Sequence, residues 1–329
     1  MKAAVNRELI NRICVNSAKI SGVRMSDAGM SEASLLHPSL VDYWNFKGKS
    51  NSDEDRDTIK GIKGGILTAY NFGWSLGSGY GLFKENYLTY NKAENVFVTD
   101  DHSAVIMNFV PANNWVVSKY GNSALKSTKI KVAGLTSDDQ LEYGYSPSNE
   151  GARVMMPIPK DGIYDLPESV VNQNTYSIGF FLRSALTKNV TIEQIPLYEG
   201  AIVTDGIDDY LKLDKVGYKV GTVIFKHTPI KIGDSVRYVF NINTTSVYAC
   251  YRIDSTFANN FNRYKTIEDY TVGFITTPRL AETPLIIGCS SSLKGFLSMA
   301  LYSIAIYDRV LSDQEVQEVI NFMDKDNKL

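Results

Sequence analysis

The sequence predicts an all-β protein of two sandwiches with a short C-terminal helix, and three observations predict it. Short runs rich in β-branched and aromatic residues recur from Leu40 to Tyr307. Turn formers separate them, as at Pro111–Asn114, Ser137–Asp139, Ser146–Gly151 and Lys160–Gly162. At 329 residues the chain is too long for one ordinary sandwich. Hydrophobic residues make up 44 %, enough for a sizeable core, and Gly 24 with Tyr 20 favours strands and turns over helices.

Along the chain, residues 4–15 place Val5, Leu9 and Ile13 four apart, an amphipathic spacing. Such a helix packs on its own domain or serves as an arm docking on another protein. Residues 16–36, rich in Ser, Ala, Gly and Met, read as a linker or extended arm. LVDYWNF (Leu40–Phe46) and ILTAYNF (Ile66–Phe72) are strand-like, with a polar loop between them and the glycine-rich turn GWSLGSGYG after them. Residues 85–197 then carry many short strands at regular spacing, among them NWVVSKY, TKIKVAGL, QLEYGYS, ARVMMPIP, YSIGFFLRS and VTIEQIPLY, as a sandwich of their own would. After Gly200 come YLKLD, VGTVIFKH, VRYVFNIN, VYACYRI, YTVGFIT, PLIIGCS and GFLSMALYSIAIY.

The C-terminus breaks the pattern. Ser312-Asp313-Gln314-Glu315 is a capping box, in which the serine caps a backbone N–H and the glutamate reaches back. Behind it Val316, Val319, Ile320 and Met323 fall at i, i+3, i+4 and i+7, one face of a helix.

Charge and cysteines exclude several function classes. Lys+Arg 34 against Asp+Glu 36 lacks the basic excess of a phosphate-tracking surface, so nucleic acid is not expected as a partner. Cys14, Cys250 and Cys289 form no short C-x-x-C pair, which leaves out zinc and redox motifs. Cys250 and Cys289 lie in strand-like surroundings and are expected to be buried thiols. Arg7, Glu8 and Arg12 interrupt the N-terminus, so neither a signal peptide nor a membrane span is expected.

Two segments carry a resemblance. Gly295–Met323, with Asp308, Arg309, Leu311 and Ser312 in the turn before the helix, resembles the last strands and closing helix of laminin G-like (concanavalin A-like) domains. AIVTDGIDDYLKL (Ala201–Leu213) is similar to an early strand–turn–strand of the same family, where LVDYWNF and an Asp-rich loop normally stand close by. Here more than a hundred residues separate those pieces. The resemblance therefore implies residues 1–36 as arm, 37–84 with 198–325 as a split laminin G-like sandwich, and 85–197 as an inserted β-sandwich domain. The same organisation resembles tail- or head-fibre-type structural proteins of crAss-like phages infecting Bacteroides-like bacteria.

Each chemical possibility has a bland counterpart. Gly73-Trp74-Ser75-Leu76-Gly77 matches the nucleophile elbow G-x-S-x-G, but no helix-forming run follows it, so a glycine turn with a tucked aromatic is expected. Glycoside hydrolysis needs two flanking carboxylates. Asp53, Glu54, Asp55 and Asp57 are adjacent in a polar loop and would point in different directions, so no catalytic residue is assigned. The family resemblance makes Asp205, Asp208 and Asp209 candidates for calcium, a hard cation taking six or more oxygens. Their alternative role is to form the turn itself. Glycan binding needs exposed aromatic planes beside polar groups. Trp115, Tyr120, Tyr143 and Tyr145 are the candidates, although tyrosines alternating on a strand also mark a core face. Asn189-Val-Thr and Asn243-Thr-Thr match the glycosylation sequon and are taken as coincidence in the absence of a secretion signal.

The expectation is a non-enzymatic virion structural protein, made in the host cytoplasm. Its arm would attach it to other virion proteins, and its sandwiches would bind bacterial surface glycan. Homo-oligomers, trimers included, would cluster weak sites. The rivals are a polysaccharide-degrading enzyme, a bacterial glycan-binding protein and a purely structural collar or connector.

Overall fold

The computed structural model describes residues 37–107, 114–137, 140–174, 176–242 and 247–328. The helix expected over residues 4–15, the arm of residues 1–36, Cys14 and the sequon at Asn243 lie outside them. The described chain forms strands β1–β24 and one α-helix, α1, so the all-β expectation holds. None of its helices is long and apolar enough to cross a membrane.

Contacts divide the chain into two compact units. The first takes the chain up to Lys49, Asp55–Asn71 and Thr204 onward; the second takes Ser50–Glu54 and Phe72–Val203. Residues 72–84 group with the second unit for local reasons. Trp74 stacks on Phe72 at 5.0 Å and lies 5.4 Å from Tyr80, and β4 (Gly79–Tyr80) pairs with Ile202 and Val203 of β15 (Ile202–Asp205).

In the first unit one sheet runs β21-β22-β17-β24-β15, with β1 also paired to β24. These strands are β1 (Leu40–Asn45), β17 (Lys219–Lys231), β21 (Arg263–Ile267), β22 (Tyr270–Leu280) and β24 (Ser298–Tyr307). The second sheet runs β2-β3-β16-β23-β18-β19-β20. It comprises β2 (Thr58–Lys60), β3 (Ile66–Tyr70), β16 (Tyr210–Leu213), β18 (Arg237–Ile242), β19 (Val247–Tyr251), β20 (Phe257–Asn259) and β23 (Leu285–Ile287).

Alternation on β17 decides the layering. Phe225 faces the second sheet and meets Phe240 of β18 edge-on at 5.3 Å. Ile224 faces the other way, into a cluster with Val316, Val319, Ile320 and Met323 of α1 (Asp313–Lys328). The helix thus covers the outer face of the first sheet.

The capping box forms as read. Ser312 N donates to Glu315 Oε2 at 2.7 Å, and Glu315 N donates to Ser312 Oγ at 3.3 Å. The turn before it is keyed to β17. Thr222 Oγ1 donates to the Arg309 carbonyl and accepts from Leu311 N, both at 3.0 Å. A Cβ at Gly221 would stand 2.2 Å from the Arg309 carbonyl carbon, so only glycine lets the turn approach this closely. Cys250 and Cys289 are buried free thiols, and burial pushes Cys289 up to about 12.

The second unit packs two five-stranded sheets, β11-β10-β13-β8-β5 and β12-β9-β14-β7-β6. The first holds β5 (Asn91–Lys92), β8 (Asn114–Tyr120), β10 (Leu141–Tyr145), β11 (Val154–Ile158) and β13 (Ser177–Leu182). The second holds β6 (Val96–Val98), β7 (Ser103–Ile106), β9 (Thr128–Ala133), β12 (Gly162–Leu166) and β14 (Val190–Ile195). Their inner faces share one core, in which Val117, Tyr143 and Phe180 of one sheet pack with Ile130, Val132 and Ile192 of the other.

Candidate functional site

Strand alternation separates the aromatic residues of the second unit onto two faces. On β10, Leu141 and Tyr143 point into the core while Glu142 and Gly144 point out. Tyr143 is only 2 % exposed, and burial raises its hydroxyl above the ordinary tyrosine range. Tyr145 stacks on it at 6.0 Å and packs against the same core. Both therefore serve packing here, and a ligand has no access to the Tyr143 ring. Tyr120, at the end of β8, is 65 % exposed.

Trp115 sits on the outer face. A bulge between Phe180 and Phe181 sets Trp115 opposite Phe181, and the rings meet edge-on at 5.2 Å. The indole crosses the neighbouring strands over Gly144, where a Cβ would come within 2.6 Å of it and 3.0 Å of Met155 Sδ. Glycine is thus the floor on which the indole rests.

Arginines complete the face. The Arg153 guanidinium lies 4.6 Å above the Trp115 ring, a cation–π contact, and donates to the Ser177 carbonyl at 3.0 Å. Arg183 stands over Phe181 at 5.3 Å and pairs with Glu142 at 2.8 Å. Burial, and then the charge of Arg183, lower the Arg153 guanidinium below its ordinary value, yet an arginine stays cationic. Among the described residues Glu142 is taken by Arg183, and Arg153 has no ion-pair partner. Arg153 and Met155 also border an open cavity of about 510 Å³ with Glu150, Asn174 and Tyr176, the last 89 % exposed.

Sequence reasoning found Trp115 but missed Arg153, Phe181 and Arg183. One signal was present: in FFLR, Phe181 and Arg183 alternate with the core residues Phe180 and Leu182, so they share the opposite face.

Asp205, Asp208 and Asp209 do come together, with one oxygen of each within 4.8 Å of the others. Their bonds are those of a turn. Asp205 Oδ1 accepts from Ile207 N at 2.7 Å and Asp208 N at 3.3 Å, and Asp209 Oδ2 accepts from Asp205 N at 2.8 Å. Three carboxylates, two of them already serving backbone donors, fall short of the six or more oxygens calcium takes. The set fits the turn better than the ion.

A second cluster, Asp100, Asp101 and His102, sits in the other unit. There His102 stacks on Phe83 at 3.9 Å and its Nδ1 lies 2.9 Å from Asp101 Oδ1. The serine of the G-x-S-x-G motif lies in a turn, where Gly73 N donates to Ser78 Oγ at 2.8 Å and Ser75 N to the Ser78 carbonyl at 3.2 Å. The short strand β4 follows it, whereas a nucleophile elbow leads into a helix.

No protein-family model matches this chain, and a search of curated proteins found no match either.

Proposed function

We propose that the protein is a non-enzymatic virion component that holds anionic bacterial surface glycan on the Trp115–Arg153 face. The observation that carries this reading is the Arg153 guanidinium stacked on Trp115 beside an open cavity. The indole beneath holds the guanidinium in place, and an arginine fork matches a carboxylate or sulfate with two parallel hydrogen bonds. Since Arg183 is engaged with Glu142, Arg153 is the cation that faces an acidic sugar.

We read the first unit as a laminin G-like sandwich and the second as a sandwich lodged in its loops. The Asp308–Arg309 turn, its anchor at Thr222 and the capped helix favour that reading. The arm of residues 1–36 then attaches the protein to other virion proteins, and homo-oligomers multiply weak sites.

Binding of capsular polysaccharides of stated charge, with reducing-sugar release measured in parallel, tests the function. Acidic polysaccharide should be retained without turnover. Steady sugar release would overturn the non-enzymatic reading, and deletion of residues 1–36 without loss of particle incorporation would overturn the role of the arm.

A further inference from the structure

Every open sheet ends in edge strands, whose outer N–H and C=O groups lack a neighbouring strand. Proteins that stay apart blunt such edges with short strands, covering loops, lysine or proline. All but one of the described edges are blunted in these ways. β2, β4, β5, β6 and β20 are three residues or shorter. The free side of β1 is taken by the loop between β2 and β3, where Ile62 N donates to the Tyr43 carbonyl at 3.1 Å. β11 carries Pro157, and β21 carries Arg263 and Lys265, the latter paired with Asp313 of α1 at 2.9 Å.

β12 is the one left open. It ends the β12-β9-β14-β7-β6 sheet of the second unit, runs for the five residues Gly162–Leu166, and holds neither proline nor a cation. Among the described residues, no group outside β9 bonds to its backbone. The strand is nonetheless firmly seated. Leu166 is buried, Tyr164 packs against the core, and Tyr164 Oη donates to the Lys160 carbonyl at 2.6 Å. Alternation turns Ile163 and Asp165 to the outer face, where Ile163 is 63 % exposed.

We infer that β12 pairs with β12 of a second copy, antiparallel about a two-fold axis normal to the sheet, joining two five-stranded sheets edge to edge. Such an axis keeps both inner faces on one side, so residues of the same face must meet. Charge then selects the register. Centring the axis on Ile163 would set Asp165 opposite the partner's Asp161, and centring it on Asp165 would bring two carboxylates together. Like charges directly opposite destabilise a sheet. Centring on Tyr164 sets Asp165 opposite the partner's Ile163 instead. Within each copy Lys129 stands opposite Asp165, at 3.5 Å, and Lys131 opposite Ile163. Each outer row across the joint then reads Lys129, Asp165, the partner's Ile163, the partner's Lys131, with no like charges adjacent. The strand thus matches itself. Five residues a side make a small interface, so the dimer is weak and depends on concentration. It is independent of the Trp115–Arg153 face and of the reading built on it.

Sedimentation equilibrium of the full chain over a concentration series tests the inference. The parent should pass from monomer to dimer as concentration rises. Ile163→Asp sets a carboxylate against the partner's Asp165 and should weaken the dimer tenfold or more. Adding Asp165→Lys to that variant restores opposite charges at both ends of the joint and should bring the dimer back. Both side chains are exposed, so melting temperatures should stay near the parent's. A parent that is monomeric at its highest soluble concentration overturns the inference. So does an oligomer that Ile163→Asp leaves intact, or a dimer that the double variant fails to restore.

Discussion

Gly65 N donates to Asp42 Oδ2 at 2.6 Å, and a Cβ at Gly65 would lie 2.4 Å from that same oxygen. Asp42 is 1 % exposed, and its other oxygen accepts from Tyr43 N and Lys63 N, both at 2.9 Å. A buried carboxylate thus organises the loop between β2 and β3 through backbone donors. Asp42→Ala should cost about 3 kcal/mol or more, since buried N–H groups lose their acceptor. Asp42→Asn should also destabilise, because an amide NH₂ would face backbone N–H. Urea midpoints at constant slope measure both, and an Asn variant as stable as the parent would refute the account.

The cap of α1 makes a smaller, local contribution. Ser312→Ala should cost about 1 kcal/mol, as typical of N-caps. The bonds are reciprocal, so Ser312→Ala with Glu315→Gln should cost less than the sum of the two. Pairing with Arg309, then the bond from Ser312 N, holds the Glu315 carboxyl down at about 2, against an ordinary 4.5. A depressed carboxyl stabilises the fold above its unfolded value. That stability is lost as pH falls from about 4.5 toward 2, and Glu315→Gln should remove this part of the pH dependence.

His227 acts in a neighbouring window. Its Nε2 lies 3.0 Å from Tyr251 Oη, its Nδ1 is sealed from solvent, and Phe225 and Phe257 flank the ring. Desolvation lowers it from 6.5 to about 4. The unfolded chain therefore binds the proton first, and stability declines as pH drops from about 6.5 through 4. Melting temperatures of His227→Phe, followed over that range, should lack this decline; an unchanged slope would rule the histidine out.

Binding to acidic polysaccharide should fall tenfold or more in Trp115→Ala and in Arg153→Ala, with little change in melting temperature for surface substitutions. Arg153→Ala should also flatten the salt dependence of binding. Equal binding by Arg153→Ala and the parent at low salt would sink the anionic assignment.

Calcium or EDTA should leave the melting temperature unchanged, because the Asp205 and Asp209 oxygens already accept backbone N–H bonds. Asp209→Ala should destabilise in either solution. A rise in melting temperature with calcium, lost in Asp208→Asn, would contradict this.

What could be read in advance was what is local. Ser312, Glu315 and the Val316–Met323 spacing lie within three turns of one helix, so the cap and its buried face needed no tertiary information. Strand alternation put Tyr143 and Tyr145 on one face but could not say which, since that depends on the partner sheet. Arg153 over Trp115 joins strands distant in sequence, and no periodicity encodes that meeting.

The register of β1 with β24, Tyr43 opposite Ala305 and Trp44 opposite Ile304, has a consequence for biogenesis. β1 leaves the ribosome long before β24, so the sheet of the first unit lacks that strand until Tyr307 has been made. The second unit, whose strands all precede residue 204, has its full complement earlier. During that interval the apolar surface of β1, including Trp44, has no partner, and sequence-distant pairing of this kind is slow and exposed to aggregation. A premature stop before Ser298 would leave every chain in that state, so even a late nonsense change that removes only β24 and α1 should leave β1 without its partner.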